Sequence, residues 1–158
     1  MNMSDAFVWR SRIEAPAETV FEWHARPGAL ERLTPPWEPI EIIVPAPSIH
    51  DGARGAFRVR VGPFHVRWEF EHRGYSKGRQ FQDFQLSGPF RRWEHTHRFI
   101  PDGPAACWLE DRIEYELPMG ALGSLFAGWL VKRKLEKLFV YRHRVTSEAF
   151  GDEKNGPK

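Results

Sequence analysis

The chain has 158 residues, of which 41% are hydrophobic and 28% charged, and its net charge is +2. These values indicate one soluble globular domain, and the small charge argues against a nucleic-acid-binding protein, which would carry clustered basic residues. The single cysteine, Cys107, excludes an internal disulfide and cysteine-based zinc motifs. No apolar run reaches membrane-spanning length and the N-terminus has no secretory core, so we predict a cytoplasmic protein without stable membrane insertion.

The first part of the chain predicts one strand followed by two short helices. Residues Ala6 to Glu14 alternate between apolar and polar types, as a half-buried strand does. The sequence Ala15-Pro16-Ala17-Glu18 is typical of a helix start, with proline in the first turn. Arg26-Pro27-Gly28 ends this helix, and Ala29 to Leu33 predicts one more helical turn before Pro35-Pro36.

Six further strands are predicted between Ile40 and Leu117, separated by turns rich in glycine and proline. They comprise Ile40 to Val44, Phe57 to Val61, Phe64 to Arg73, Gln80 to Leu86, Phe90 to Ile100, and Cys107 to Leu117. Because tight turns join successive strands, we expect antiparallel neighbours. The strand from Gln80 to Leu86 fits two registers, so the sequence leaves open which of its side chains face inward.

The segment from Gly120 to Phe150 is the only long stretch without proline, and it predicts a C-terminal helix. No other element is long enough to cover one face of the sheet. At 100° per residue this helix has two apolar sides, and only the part from about Val131 onward is expected to cover the sheet. One side comprises Leu122, Leu125, Phe126, Trp129 and Leu130, and the other comprises Val131, Leu135, Leu138, Phe139, Val145 and Ala149. Residues 151–158 form a polar tail that we predict to be disordered.

Polar side chains interrupt the otherwise apolar faces of two predicted strands. His95 and His97 share one strand face with apolar residues, and Asp111 does so on the following strand. If the two strands pair as a hairpin, one histidine lies near Asp111, and an imidazolium would compensate a buried carboxylate. The pattern fits a structural pair, a polar anchor in a ligand cavity, or acid–base catalysis, for which these three residues are the candidates.

The sequence His95-Thr96-His97 also places two imidazoles on one strand face, where Asp111 or Glu110 could supply an oxygen ligand. Because alternate-residue histidine pairs are common by chance, we predict no metal and no cofactor. The sequence contains no GxSxG, HExxH or phosphate-binding glycine motif. We predict that Cys107 is an inert buried thiol.

The order of elements and several phrases of the sequence resemble the START-like, or SRPBCC, superfamily. The phrases are IEAPAETVFEWH, LERLTPPWEP, FQLSGPFRRWEHTHRF, LEDRIEYELPMGALG and LFVYRHR. The chain looks closest to the polyketide cyclase/dehydrase and coenzyme-Q-binding-protein-like branch, over a single domain of residues 4–150. The resemblance implies an α+β helix-grip fold, with a seven-stranded antiparallel sheet curved around a long C-terminal helix and two short helices after the first strand. It also implies an apolar tunnel, and members that bind lipids, polyketides or quinones, some of which catalyse cyclisation or dehydration.

We therefore predict a protein that binds a small hydrophobic molecule, such as a lipid, a quinone or a polyketide-like compound, more readily than an enzyme. The expected ligand contacts are Trp68, Phe70, Trp93, His95, His97, Phe99, Asp111, Ile113, Tyr115, Phe126 and Leu130. One alternative is a cyclase or dehydratase that uses the His–Asp pair. Another is a protein interaction module or homodimer, which an exposed patch of Leu122, Leu125, Phe126 and Trp129 would favour.

Overall fold

A computed structural model describes residues 5–118 and 121–151, with side chains for residues 6–118 and 125–151. The elements in chain order are β1 (Asp5–Ile13), α1 (Ala17–Ala25), α2 (Ala29–Arg32), β2 (Glu41–Val44), β3 (Arg54–Val61), β4 (Phe64–Ser76), β5 (Gln80–Ser87), β6 (Arg92–Pro101), β7 (Cys107–Glu116) and α3 (Ala121–Gly151). This arrangement confirms the predicted α+β helix-grip fold. Gly120, the predicted first residue of the long helix, and residues 152–158 of the predicted tail lie outside the described residues. Gly151, which the sequence assigned to the tail, is the last residue of α3. None of the described helices is long and apolar enough to cross a membrane.

The seven strands form one antiparallel sheet in the order β1-β7-β6-β5-β4-β3-β2. The register between β6 and β7 places His97 directly opposite Asp111, as the predicted hairpin requires. In the next pairs along the sheet, Asp83 of β5 lies opposite His95 of β6 on one side and opposite His72 of β4 on the other. Because side chains alternate along a strand, these registers bring all five residues to the same face.

This face is concave and carries two clusters of buried apolar side chains. One cluster lies between α1 and the sheet and includes Ile13, Val20, Phe21, Phe81, Phe99 and Leu109. The other cluster lies between α3 and the sheet and includes Phe7, Ile113, Tyr115, Leu135 and Phe139. His97 stacks on Phe81 of the first cluster, with ring centroids 4.2 Å apart, and His95 meets Phe139 of the second cluster edge-on at 5.4 Å. The polar residues of the sheet therefore lie between the two apolar clusters.

The helix α3 contacts the sheet with only part of its length. Its fully buried side chains recur at steps of four, four and three, namely Leu135, Phe139, His143 and Thr146. Before this stripe, Leu125, Phe126 and Trp129 are 84%, 72% and 54% exposed. The two-sided pattern of the sequence predicted this change, although the side chain of Leu122 lies outside the described part of the chain.

Replacing Phe139 by alanine tests how far α3 is held by apolar packing. Phe139 is 1% exposed, and its ring lies 5.5 Å from that of Phe7. We expect Phe139→Ala to lower the free energy of unfolding by about 3–5 kcal/mol in urea denaturation, because it leaves a cavity in the core. The neighbouring Val140 is 50% exposed, so Val140→Ala should change the same quantity by less than about 0.5 kcal/mol. Equal effects of the two variants would contradict the packing described.

Candidate functional site

Six polar side chains of the concave face and α3 form one hydrogen-bonded network, which we call the His–Asp cluster. Its members are His72, Asp83, His95, His97, Asp111 and His143. They come from four adjacent strands, β4 to β7, and from α3. Three members, His95, His97 and Asp111, were predicted as site residues. The sequence did not assign the other three, His72, Asp83 and His143, to a site.

Asp111 is the most heavily bonded member of the cluster. Its Oδ1 accepts hydrogen bonds from His95 Nε2 at 2.6 Å and His97 Nδ1 at 2.9 Å, and its Oδ2 accepts one from His143 Nε2 at 2.7 Å. Burial alone would raise the pKa of Asp111, but hydrogen bonds from His143, His95 and His97 hold it well below its usual range. Asp111 is therefore a carboxylate although it is only 4% exposed.

His97 bridges the two carboxylates of the cluster. Its Nδ1 faces Asp111, and its Nε2 lies 2.8 Å from Asp83 Oδ2. Burial alone would lower the pKa of His97, but Asp83 and Asp111 raise it to about 9. Because each ring nitrogen faces an acceptor, both must carry a hydrogen, and His97 is an imidazolium at neutral pH.

The other histidine of β6 is in a different protonation state. Burial, together with the charge of His97, lowers the pKa of His95 to about 4. His95 is therefore a neutral ring that donates its Nε2 hydrogen to Asp111 and leaves a lone pair on Nδ1. That Nδ1 lies 3.7 Å from Asp83 Oδ2. At Asp83, burial raises the pKa, but the charge of His97 and the hydrogen bond from His72 outweigh it and lower the pKa well below its usual range.

Asp83 and His143 were not predicted as site residues. Asp83 lies on the strand for which the sequence allowed two registers, and the structure selects the register that turns it inward. His143 lies four residues after Phe139 and eight after Leu135, so the helical period places it on the same buried face as these two residues. The adjacent Arg142 competes for the same stripe, but it donates its Nε hydrogen to the carbonyl of Leu33 at 3.1 Å.

Beside the His–Asp cluster, half-buried aromatic rings from β3, β4, β6 and the turn before β6 cover part of the concave face; we call them the aromatic wall. Its members are Phe57, Trp68, Phe70, Phe90 and Trp93. Neighbouring ring centroids lie 4.7 to 6.0 Å apart. A Cβ on Gly55 would lie 2.5 Å from the ring of Phe70, so glycine at this position lets Phe70 lie flat against the sheet.

The predicted ligand contacts fall into four groups. Trp68, Phe70 and Trp93 belong to the aromatic wall, and His95, His97 and Asp111 belong to the His–Asp cluster. Phe99, Ile113 and Tyr115 are 3% exposed or less and lie within the packed core. Phe126 and Leu130 are 72% and 41% exposed on α3. The structure therefore brings the first two groups together on one surface.

A groove of about 600 Å³ lies at another place, at the β2 edge of the sheet. It is lined by the segment Trp37 to Glu41 and by Arg58, Arg60, Gly62, His65 and Lys134. None of the predicted ligand contacts lines this groove, so it does not correspond to the apolar tunnel that the resemblance implied.

The thiol of Cys107 does not add a nucleophile to the site. It is fully buried at the start of β7, and burial raises its pKa to about 11. A thiol with a raised pKa is a poor nucleophile at neutral pH. This agrees with the inert role predicted from the sequence.

Comparison with known proteins identifies a family and several structural neighbours. The sequence profile of the family described as "Polyketide cyclase / dehydrase and lipid transport" matches residues 13–140. The solved structure of TTHA0849 from Thermus thermophilus is similar with 22% identity and a TM-score of 0.67, over 92% of this chain and 99% of that chain. An aromatase/cyclase from Streptomyces sp. R1128, ZhuI, is similar with 16% identity and a TM-score of 0.69, over 92% and 93%. At these identities the likeness shows the fold.

One further neighbour is a much longer protein. A nucleoside-diphosphate sugar epimerase from Corynebacterium glutamicum is similar with 27% identity and a TM-score of 0.68. The match covers 90% of this chain but only 28% of the epimerase chain. No curated protein matches the sequence.

Replacing Asp111 by asparagine tests the compensation of the buried carboxylate. Asparagine offers one acceptor oxygen where the carboxylate accepts from three histidines, so hydrogen bonds and a charge partner are lost. We expect Asp111→Asn to lower the free energy of unfolding by about 3–5 kcal/mol. The control is Asp102→Asn, because Asp102 pairs with Arg12 at 2.7 Å and its side chain is 42% exposed. It should cost about 1 kcal/mol or less. A cost for Asp111→Asn no larger than this would refute the compensation.

His24 provides a separate test by pH. It is 5% exposed and donates its Nδ1 hydrogen to the Val20 carbonyl at 2.8 Å. Burial lowers its pKa from 6.5 to about 4, so the unfolded chain binds a proton in this interval that the folded chain does not. The free energy of unfolding should therefore fall as the pH falls from 6.5 towards 4. In His24→Gln the slope should be smaller by about 1.4 kcal/mol per pH unit. Identical slopes would show that His24 is protonated in the fold.

Proposed function

Because this chain belongs to the polyketide cyclase/dehydrase and lipid transport family, we propose that it binds a small apolar or aromatic molecule between the concave face of the sheet and α3. The family and the fold support binding of a hydrophobic ligand. The observation that carries the finer proposal is the continuity of the aromatic wall with the His–Asp cluster. Trp93 lies two residues before His95 on β6, and Phe70 lies two residues before His72 on β4. An apolar wall that ends in a few fixed polar groups is the usual construction of a small-molecule site.

The polar end of the ligand would meet Asp83. Its side chain is 26% exposed, whereas those of His72, His95, His97, Asp111 and His143 are 10% exposed or less. Asp83 is a carboxylate and can only accept hydrogen bonds. The proposed ligand therefore carries a hydroxyl or phenol donor, as a polyketide-like compound or a reduced quinone does, beside its apolar part.

The exposure of Asp83 also supports a second candidate function, that of a cyclase or dehydratase. Asp83 accepts a hydrogen bond from the His97 imidazolium, so the pair could pass a proton to or from a ligand placed at the aromatic wall. In this function Asp83 would be the catalytic group in contact with the substrate. His97 would position it and hold the proton, and Asp111 would act through His97.

For location we propose the cytoplasm. The only cysteine, Cys107, is buried and free. A protein without disulfides fits a reducing compartment. Fractionation of the native cells with an antibody would test this.

A fluorescent apolar dye that carries a phenol group tests the proposed site. We expect saturable binding to the wild-type protein with one dye per chain. Trp68→Ala should weaken it about fivefold or more, because a stacked indole of the aromatic wall contributes about 1 kcal/mol to an aromatic contact. Trp108→Ala is the matched control, because Trp108 lies on the opposite face of β7, where its ring contacts Arg10 at 4.6 Å. Equal loss in both variants, or no uptake by the wild type, would contradict the proposal.

Mass spectrometry of small molecules that co-purify with the protein would then separate the two candidate functions. A compound that is recovered unchanged after incubation with the wild-type protein supports the binding protein. A compound that is converted by the wild-type protein and only bound by Asp83→Asn supports the enzyme.

A further inference from the structure

Three donor atoms of the His–Asp cluster converge on one point. One atom each comes from His95, His97 and Asp83, and all three lie within 4.8 Å of one another. Asp83 Oδ2 is 2.8 Å from His97 Nε2 and 3.7 Å from His95 Nδ1. Ligand atoms around a tetrahedral zinc ion lie about 3.3 Å apart at bond lengths near 2.0 Å. Shifts of about half an ångström would therefore bring both distances to this spacing.

His95 Nδ1 and Asp83 Oδ2 face each other at 3.7 Å, a separation too long for a hydrogen bond. His95 Nε2 lies 2.6 Å from Asp111 Oδ1, so Nδ1 is the ring nitrogen that remains to bind a metal ion beside Asp83. The same oxygen faces His97 Nε2, where a metal ion would take the place of the hydrogen.

The remaining polar atoms of the ligands are already oriented by neighbours. The second ring nitrogen of His95 and that of His97 both bond to Asp111 Oδ1, at 2.6 and 2.9 Å. The other oxygen of Asp83 lies 2.8 Å from His72 Nδ1. Metal-binding histidines characteristically donate their second N–H to a carboxylate, which fixes the ring and the tautomer. This outer layer of Asp111 and His72 is therefore the one that a metal site requires.

The charges of the two buried carboxylates also favour a bound cation. Asp83 and Asp111 place two carboxylates in the interior, one beside each ring nitrogen of His97. The imidazolium of His97 offsets one of these charges, whereas a divalent cation that replaces the hydrogen on His97 Nε2 would offset both.

We propose that His95, His97 and Asp83 form a binding site for one divalent transition-metal ion, and that Zn²⁺ fits it best. Two imidazoles and one carboxylate are a donor set that Zn²⁺ prefers, and three protein ligands leave a fourth position open. Asp83 is the ligand with a partly exposed side chain, so the open position lies on the side from which solvent reaches Asp83. The sequence alone pointed to Asp111 or Glu110 as the oxygen ligand, whereas the structure assigns this role to Asp83 and an orienting role to Asp111.

The test uses the full-length chain without a histidine tag, stripped with a chelator and dialysed. Titration with ZnCl₂ in a calorimeter should show one ion per chain. His95→Gln and Asp83→Asn should each weaken Zn²⁺ binding at least a hundredfold. His65→Gln, which removes an exposed histidine of β4, should leave it unchanged. Circular dichroism checks that each variant is folded.

A second measurement needs no variant. In ¹⁵N NMR spectra of the wild-type imidazoles, Zn²⁺ should shift Nδ1 of His95 and Nε2 of His97 and leave the ring nitrogens of His65 in place. Failure to bind one equivalent of Zn²⁺, equal loss in the His65 control, or shifts confined to exposed histidines would overturn the proposal. Binding of the phenolic dye to the metal-free protein is measured separately, so either proposal can fail without the other.

Discussion

The structure depends on the compensation of one buried carboxylate. An uncompensated carboxylate in the interior costs several kcal/mol, so Asp111 can occupy β7 only because three imidazoles surround it. His95 and His97 come from the adjacent strand, but His143 comes from α3, 32 residues further along the chain. The position of α3 against the sheet is therefore fixed by a directional polar contact to β7 as well as by the packing of Phe139 on Phe7 of β1. Apolar packing alone would tolerate more rotation of the helix.

The same cluster couples the two halves of the concave face. His97 bonds to Asp111 on the side covered by α3 and to Asp83 on the side that carries the aromatic wall. A molecule or ion that changes the charge at Asp83 therefore changes the field at His97, and through it the bonds that hold His143. Asp83, His97 and Asp111 thus form one chain of three charged groups between the aromatic wall and α3.

Much of this arrangement could be predicted from the sequence, and the physical reason differs from residue to residue. Alternation within two strands joined by a short loop placed His95, His97 and Asp111 together, because the loop sets the register of such a hairpin. Asp83 could not be placed, because its strand fits two registers and only pairing with β4 and β6 selects one. His143 lies on the helical stripe, but an adjacent arginine fits that stripe almost as well. The size of a tunnel was also beyond prediction, because alternation says which side chains face inward and not how closely they pack.

The reactivity of Cys107 can report how often this fold opens. The thiol is the only one in the chain, has no exposed surface, and lies at the first residue of β7, opposite Ile13 of β1. An alkylating reagent can reach it only when the apolar cluster around α1 opens, when β1 and β7 separate, or when the whole domain unfolds. The rate of alkylation under native conditions therefore measures how often this end of the fold opens, without any label or engineered residue.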